Sequence, residues 1–278
     1  MDYRSLLVHL DDGDDAACLE LAASLASRFD AELAGAYLVP TRELTPFTSA
    51  MLPDAVVEHR LRDTGDAQAR AEARFREVAV RHSLAKVAWS APAGRAVDAA
   101  ILHARYADLC VLAQPRAEGA HSGFASDLVH AVLMQAGRPA LVVPHSGTFE
   151  HVGQRILVAW KESRESARAV ADAIPFLARA DQVKVVSISS RGDEAVRETL
   201  ADKDIAAWLA RHDVDAYVRH EVAEDVDAGN LLLSRAADFG ADLIVMGAYS
   251  RPRLSEVVLG GVTRLMLQAM TVPVLMSH

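Results

Sequence analysis

The sequence predicts an α/β fold made of two similar halves, each a parallel sheet with helices on both faces. One observation is that short apolar runs, which suit buried strands, alternate with longer segments of helical period along the chain. Another is a repeat at a constant offset: Asp108 matches Asp242 (242 − 108 = 134), and Pro139 matches Pro273 (273 − 139 = 134). Helices between consecutive strands imply parallel pairing through right-handed crossovers, so each half is predicted to be an open sheet of five strands.

The composition is that of a globular protein and argues against several functional classes. The chain has 278 residues, of which 51% are hydrophobic and 24% charged, and a formal net charge of −9. The acidic excess argues against a nucleic-acid partner, which needs clustered positive charge. No apolar run approaches the roughly 20 residues that span a bilayer. The amino terminus turns acidic after one short apolar run, unlike a signal peptide. We therefore expect a cytoplasmic protein with no membrane partner, and Cys18 and Cys110 as buried free thiols.

The first half is predicted to contain five strands with helices between them. In the first helix, Ala22, Leu25 and Ala26 recur at the spacing of one helical face. A proline-rich stretch at 40–54 interrupts the pattern and is expected to form a loop or lid. The predicted strands are 4–10, 32–39, 86–90, 109–113 and 139–143, and the predicted helices are 14–29, 54–82, 97–106 and 126–136.

The second half repeats this order after a polar linker. The linker, 145–154, contains two glycines and divides the chain into predicted domains at 1–146 and 152–278. The run that starts at Leu6 then aligns with the run that starts at Ile156. The predicted strands are 155–160, 182–189, 215–221, 243–246 and 272–276, and the predicted helices are 163–178, 195–212, 226–239 and a last one that starts at 260–261.

The segment 241–278 is where the sequence predicts a ligand. Its first strand ends at Gly247, a loop of small and basic residues follows, and a helical pattern starts at Gly260 and Gly261. Bare amides in the first turn of a helix, together with the helix dipole, favour an anion such as phosphate. Glycines at such joints also occur simply to turn the chain, so both interpretations stay open at this point. The loop has neither a P-loop lysine pattern nor a G-x-G-x-x-G pattern.

The same segment resembles the carboxyl-terminal signature of the universal stress protein family: G-x-x-G, nine residues, then G-[ST], a helix and a P-V-L strand. Gly247 and Gly260 fit this signature, and the spacer 251–259 has its length. The resemblance extends over both halves, so the chain looks like a tandem member. It implies two Rossmann-like domains of the adenine nucleotide alpha hydrolase type, with strand order 3-2-1-4-5. Members of one branch of the family bind ATP and those of another do not, so the resemblance makes an adenine nucleotide the candidate ligand. It also implies that strands 139–143 and 273–276 pair between the halves or across a dimer.

The chain departs from this signature at positions that matter for a nucleotide. Ser250 replaces the second glycine, where a left-handed backbone would cost a serine roughly 1 kcal/mol. Gly261 replaces the hydroxyl residue after Gly260, and Thr263 is a candidate to supply that hydroxyl. Lys161 stands where the family has an aspartate against the ribose, and a lysine cannot accept a hydrogen bond.

The first half keeps a different part of the nucleotide-binding set. Asp11 holds the family's aspartate at the end of the first strand, but Ala113, Arg116 and Ser126 replace the glycines. Asp127, expected at a helix amino terminus, would repel a phosphate. The sequence therefore predicts a degenerate first half with a remnant site at Asp11.

Two functions of different class follow from these residues. The first is a stress-response protein that binds ATP or AMP at the second-half loop. The alternative is a scaffold or signalling protein without nucleotide, which acts through dimerisation and protein partners. Weak ATP hydrolysis is the most that the loop suggests for an enzyme, because the loop carries no identifiable general base.

We expect no metal beyond magnesium bound with the nucleotide, and a homodimer in addition to the paired halves. The predicted nucleotide-binding residues are Gly247, Ser250, Arg251, Gly260, Gly261, Val262, Thr263, Lys161 and, by resemblance alone, Ile188.

Overall fold

The computed structural model describes most of the chain and contains one large sheet. The described residues are 2–11, 15–39, 54–92, 94–116, 122–190, 201–223, 227–249 and 261–278. The strands of the first half are β1 (Ser5–Leu10), β2 (Glu32–Tyr37), β3 (Val87–Ser90), β4 (Leu109–Ala113) and β5 (Ala140–Val143). Those of the second half are β6 (Arg155–Trp160), β7 (Gln182–Ser190), β8 (Ala216–Ala223), β9 (Leu243–Gly247) and β10 (Val274–Ser277).

The helices alternate with the strands, as the sequence predicts. The first half contains α1 (Ala16–Phe29), α2 (Asp54–Arg81), α3 (Ala96–Ala104) and α4 (Ser122–Gln135). The second half contains α5 (Arg164–Asp172), α6 (Ile174–Leu177), α7 (Ala201–Ala210), α8 (Ala228–Phe239) and α9 (Gly261–Ala269).

The strand order confirms the predicted topology and joins the two halves. The order is β3-β2-β1-β4-β5-β10-β9-β6-β7-β8, so each half reads 3-2-1-4-5 inward from opposite ends of the sheet. Pairing is parallel within each half and antiparallel between β5 and β10. The two predicted sheets of five strands are thus one continuous sheet of ten.

The seam between β5 and β10 has an internal two-fold symmetry. Leu141 lies opposite Leu275, and these residues are equivalent under the sequence repeat, since 275 − 141 = 134. Ala140 and Val142 on one strand lie opposite Met276 and Val274 on the other. The halves are therefore related by a local two-fold axis through this pair. The carboxyl ends of the strands in one half consequently lie beside the amino ends of the strands in the other.

Helices cover both faces of the sheet, and each face has its own apolar core. One core contains residues of α1, α2, α5, α6 and α7, and the other contains residues of α3, α4, α8 and α9. Both cores include residues from the two halves. On the first face the rings of Tyr3, Phe29 and Phe176 meet across the seam, with centroids 5.1–5.6 Å apart. The Tyr3 hydroxyl also donates to the carbonyl of Asp172 at 2.6 Å.

Several boundaries differ from the predicted ones for identifiable reasons. The predicted helix 163–178 is broken at Ala173, because Pro175 lies in the first turn of α6, where its missing N–H costs nothing. Helix α4 begins at Ser122 instead of 126, so Asp127 lies inside the helix and not at its amino terminus. The predicted loop 40–53 and the start of the predicted helix 195–212 lie outside the described residues.

Equivalent aspartates hold the start of the first strand in each half. Asp242 accepts hydrogen bonds from the amides of Gly153 at 2.8 Å, Gln154 at 2.9 Å and Arg155 at 3.2 Å. Asp108 accepts from the amides of Arg4 at 2.8 Å and Ser5 at 3.1 Å. The repeat around these residues therefore has a structural cause, which is that a carboxylate satisfies backbone amides ahead of the strand.

We expect Asp242→Asn to lower the free energy of unfolding by about 1–3 kcal/mol, because charge-assisted hydrogen bonds to these amides are lost. Urea unfolding followed by circular dichroism measures this change. Asp204→Asn, at an exposed position of α7, is the matched control and should change it by less than about 0.5 kcal/mol. An equal effect of the two substitutions would contradict the assigned role of Asp242.

Candidate functional site

The described site residues of the second half meet at the carboxyl edge of its strands. Lys161 follows β6 directly and is exposed, and Ile188 is half-buried near the end of β7. Trp160 pairs with Ser187, so Lys161 and Ile188 come at the same level of neighbouring strands. Gly247 ends β9, and β9 pairs with β6 on the edge of β6 that faces away from β7. In open parallel sheets ligands bind beyond this edge, so the topology brings these residues to the expected place.

Gly247 is required by packing inside the protein. A Cβ at this position would lie 2.6 Å from the amide nitrogen of Ser166 and 2.7 Å from the carbonyl carbon of Glu165. Both atoms belong to the backbone of α5, which cannot yield as a flexible side chain can. The first turn of α5 therefore occupies the space beside Gly247. The close approach that the sequence suggested for a ligand is made here by a helix.

Gly261, in contrast, faces open space at the start of α9. It is the first residue of the helix, it is exposed, and no heavy atom of the described residues lies within 4 Å of its Cβ position. Val262 is half-buried and packs against the core of this face. Thr263 is buried, and its Oγ1 accepts a hydrogen bond from the amide of Tyr249 at 3.2 Å. The hydroxyl predicted for phosphate thus already fixes the first residues of the loop.

Tyr249 connects the loop to the first half. Its backbone is left-handed, with φ of 55°, and its ring meets the His130 ring of α4 edge-on at 5.0 Å. Its hydroxyl is buried with no hydrogen-bond partner in the described part of the chain. Burial raises the pKa of Tyr249 to about 12, so the phenol is neutral at physiological pH. Sequence reasoning missed this residue, because its partner lies in the other half.

A buried carboxylate lies next to the loop. The Glu165 side chain accepts a 2.6 Å hydrogen bond from Nε of Arg164. Burial opposes ionisation of Glu165, but the hydrogen bonds from Arg164 and its neighbours outweigh burial and lower the pKa of the carboxyl. Arg164 also lies 3.3 Å from Nε2 of His278, whose Nδ1 is 3.0 Å from the carbonyl of Ala248. The charges around the loop start are therefore already paired with one another.

The remaining predicted residues of this site, which are Ser250, Arg251 and Gly260, lie outside the described residues.

The remnant site of the first half is occupied by the protein's own side chains. The Asp15 carboxylate is buried, accepts from the amide of Asp11 at 3.3 Å and lies 3.4 Å from Nη2 of Arg74. The same guanidinium donates to the carbonyl of Asp11 at 3.1 Å. Burial raises the pKa of Asp15 to about 6, against the attraction of Arg74. A cation from α2 thus lies over the end of β1.

Other candidate sites give little chemistry in the described ranges. No group of three or more His, Cys, Asp or Glu side chains there is arranged for a metal ion. Cys18 and Cys110 are buried free thiols, and burial raises the pKa of Cys110 to about 12. Among the described helices, none combines the length and the apolar composition that a membrane-spanning segment needs. A cavity of about 370 Å³ lies at the seam, lined by both halves, but it includes none of the predicted nucleotide residues.

The comparisons with known proteins agree with this architecture. Residues 153–278 match the sequence profile of the universal stress protein family. Over this range the second half is similar to the universal stress protein family. This match confirms the resemblance predicted from the sequence. No curated protein matches the chain.

Solved universal stress proteins also share the fold of the whole chain. A universal stress protein from Archaeoglobus fulgidus DSM 4304 superposes with a TM-score of 0.74 at 15% identity, covering 98% of this chain and 95% of that one. A structure described as a putative universal stress protein from Pseudomonas aeruginosa UCBPP-PA14 gives 0.60 at 16% identity, covering 99% and 93%. At these identities the likeness shows the fold alone, and it extends over both halves.

Gly247 and Gly261 of the second half should respond differently to alanine. We expect Gly247→Ala to lower the free energy of unfolding by about 1–3 kcal/mol, because the added Cβ meets the backbone of α5. Gly261→Ala is the matched control, and it should leave stability unchanged or raise it slightly, because alanine is the better helix former. Thermal and urea unfolding of both variants measure this. A destabilising Gly261→Ala beside a silent Gly247→Ala would refute the packing assignment.

Asp15 should make stability depend on pH between about 4 and 6. Its pKa is raised in the folded state to about 6 from a reference of 3.8, so the folded protein binds the proton more tightly. The free energy of unfolding should therefore rise as pH falls through this window, by at most about 3 kcal/mol from this group. Asp15→Asn should remove that part of the slope, and urea unfolding from pH 4 to 7 measures it. Asp98→Asn, at an exposed position of α3, should leave the slope intact.

Proposed function

We propose that the second half binds an adenine nucleotide, ATP or AMP, with its phosphates between the Gly247 loop and the first turn of α9. The observation that carries the proposal is the start of α9 at Gly261, where no heavy atom of the described residues lies within 4 Å of the Cβ position. The amides in the first turn of a helix have no partner within the helix and carry the positive end of its dipole. An exposed helix start after a parallel strand is therefore suited to an anion.

The neighbouring strands offer contacts for the rest of such a ligand. Ile188, half-buried near the end of β7, would present backbone groups to the base. Lys161 replaces an acceptor of ribose hydroxyls, and as an exposed cation it suits a phosphate or a carboxylate instead. Thr263 is buried and its oxygen accepts from the amide of Tyr249, so it would support the phosphate indirectly, by holding the start of the loop.

A scaffold without nucleotide is the second candidate, and a specific observation favours it. Tyr249, within the predicted phosphate loop, packs against His130 of the other half. Glu165, next to the same loop, keeps its negative charge, which opposes a phosphate. Under this hypothesis the loop serves the contact between the halves, and the protein acts through its surfaces.

Released nucleotide and ligand-induced stabilisation distinguish the two candidates. Protein purified without added nucleotide is denatured, and the supernatant is analysed for adenine nucleotides by chromatography. Thermal unfolding is then followed with ATP and magnesium, and with AMP. A ligand at 100 times its dissociation constant should add roughly 2.7 kcal/mol of stability. Absence of both released nucleotide and stabilisation would favour the scaffold.

Substitutions at Gly261 test the position of the phosphates. We expect Gly261→Asp to weaken nucleotide binding at least tenfold, because a carboxylate at a helix start repels phosphate while it supports the helix. Gly261→Ser, which adds a hydroxyl in the same open space, should retain or strengthen binding. Isothermal titration calorimetry measures both variants. Equal affinity of the two would place the ligand elsewhere.

The finer parts of the assignment stay predictions. Magnesium would accompany a triphosphate, and hydrolysis would be weak for want of a general base. The cytoplasmic location and the domain limits 1–146 and 152–278 are likewise predictions from the sequence.

A further inference from the structure

We propose that the outer edge of β8 is a docking surface for a second copy of this chain, with the two β8 strands paired antiparallel about an axis through His220. Within the described residues, β8 pairs only with β7. It has eight residues, against four for β3 at the opposite end of the sheet. Long edges present a row of backbone donors and acceptors that a further strand can satisfy. Tyr217, a large side chain of this strand, is 62% exposed.

The protein already joins its two halves by this kind of contact. β5 and β10 end their respective sheets of five, and they pair antiparallel about a two-fold axis through Leu141 and Leu275. Two copies of one strand obey the same symmetry, because antiparallel pairing of identical strands requires a two-fold axis perpendicular to the sheet. Rotation about this axis leaves each side chain on the same face of the sheet. Directly opposed residues of an antiparallel pair also lie on the same face, and side chains alternate between the faces along a strand. One residue must therefore lie opposite its own copy, with the axis between the two.

Charge selects the residue on the axis. An axis through Arg219 would oppose two guanidinium groups, and an axis through Glu221 would oppose two carboxylates, both of which are unfavourable. An axis through Val218 would pair only 216–220. An axis through His220 pairs 217–223 and places each Arg219 opposite the Glu221 of the other copy. Among the registers that oppose no like charges, this one therefore has the greatest overlap, and it places two ion pairs between the copies.

The side chains concerned are positioned for this exchange. Arg219 is about half-exposed, and its Nε lies 3.5 Å from Glu221 of its own strand, on the same face. Glu221 is held from behind by Nε of Arg235 at 2.5 Å. The Glu221 carboxylate, 9% exposed, thus lies between two guanidinium groups of its own chain, and the exposed Arg219 can exchange its own Glu221 for that of the partner. An extended peptide could also add to this edge, but the self-complementary charges favour a second copy.

Sedimentation analysis of the full chain and two charge reversals tests the register. We expect the wild type to dimerise, and Arg219→Glu and Glu221→Arg each to weaken self-association at least tenfold, because each opposes like charges twice. Mixing the two variants should restore a heterodimer, because one copy then carries two carboxylates and the other two guanidinium groups at the opposed positions. Arg211→Glu, at an exposed position after α7, is the control and should dimerise like the wild type.

A cross-link checks the same register if a charge reversal disturbs folding. Opposed residues in an antiparallel pair have Cα atoms about 4.5–5.5 Å apart, within the range of a disulfide. Under oxidation, His220→Cys should form a covalent dimer, and Val87→Cys on the β3 edge should not. Circular dichroism of each variant reports whether the fold is kept. A monomeric wild type, or a dimer that both charge reversals leave unchanged and His220→Cys does not cross-link, would overturn the proposal.

Discussion

The architecture depends on the antiparallel contact between β5 and β10. In the paired sheet all four residues of β5 and of β10 are buried. Without this contact each half would end in an edge strand whose outer backbone donors and acceptors are unpaired. With it, both cores extend across the two halves, and the rings of Tyr3, Phe29 and Phe176 pack between them. The same contact fixes the relative direction of the halves. Other contacts between the halves, such as the one between the rings of Tyr249 and His130, form in that arrangement.

Much of the fold could be predicted from the sequence, because the signals were local or repeated. The offset of 134 residues identified the duplication, and the structure explains part of it through Asp108 and Asp242, which hold equivalent backbone amides. The seam could be predicted only as an alternative to a dimer contact. The apolar runs of β5 and β10 are the same whichever chain supplies the partner. The break at Ala173 was missed because a proline early in a helix is compatible with a continuous pattern.

The site was predicted less completely than the fold. Topology placed Lys161, Ile188 and Gly247 at one edge, and the strand register brings Lys161 and Ile188 to one level. The reason for Gly247 was not predictable, because the atoms that exclude a side chain belong to Glu165 and Ser166, about 80 residues away in sequence. The rings of Tyr249 and His130 belong to different halves, and the hydrophobic periodicity of the sequence gives no sign of a contact between them. Glycine at a strand end therefore had two explanations, and only coordinates could separate them.

The local two-fold axis at the seam has a consequence for how the two edges can diverge. In a symmetric pair of identical chains, a substitution alters both ligand edges at once. Here the equivalent edges belong to one polypeptide and point in opposite directions, so a change in one leaves the other untouched. The first half has a guanidinium over the end of β1, while the second leaves the start of α9 uncovered by its described neighbours. Covalent fusion thus lets the two edges differ: an arginine of the same chain lies over one, while at the other no described residue comes within 4 Å of the Cβ position of Gly261.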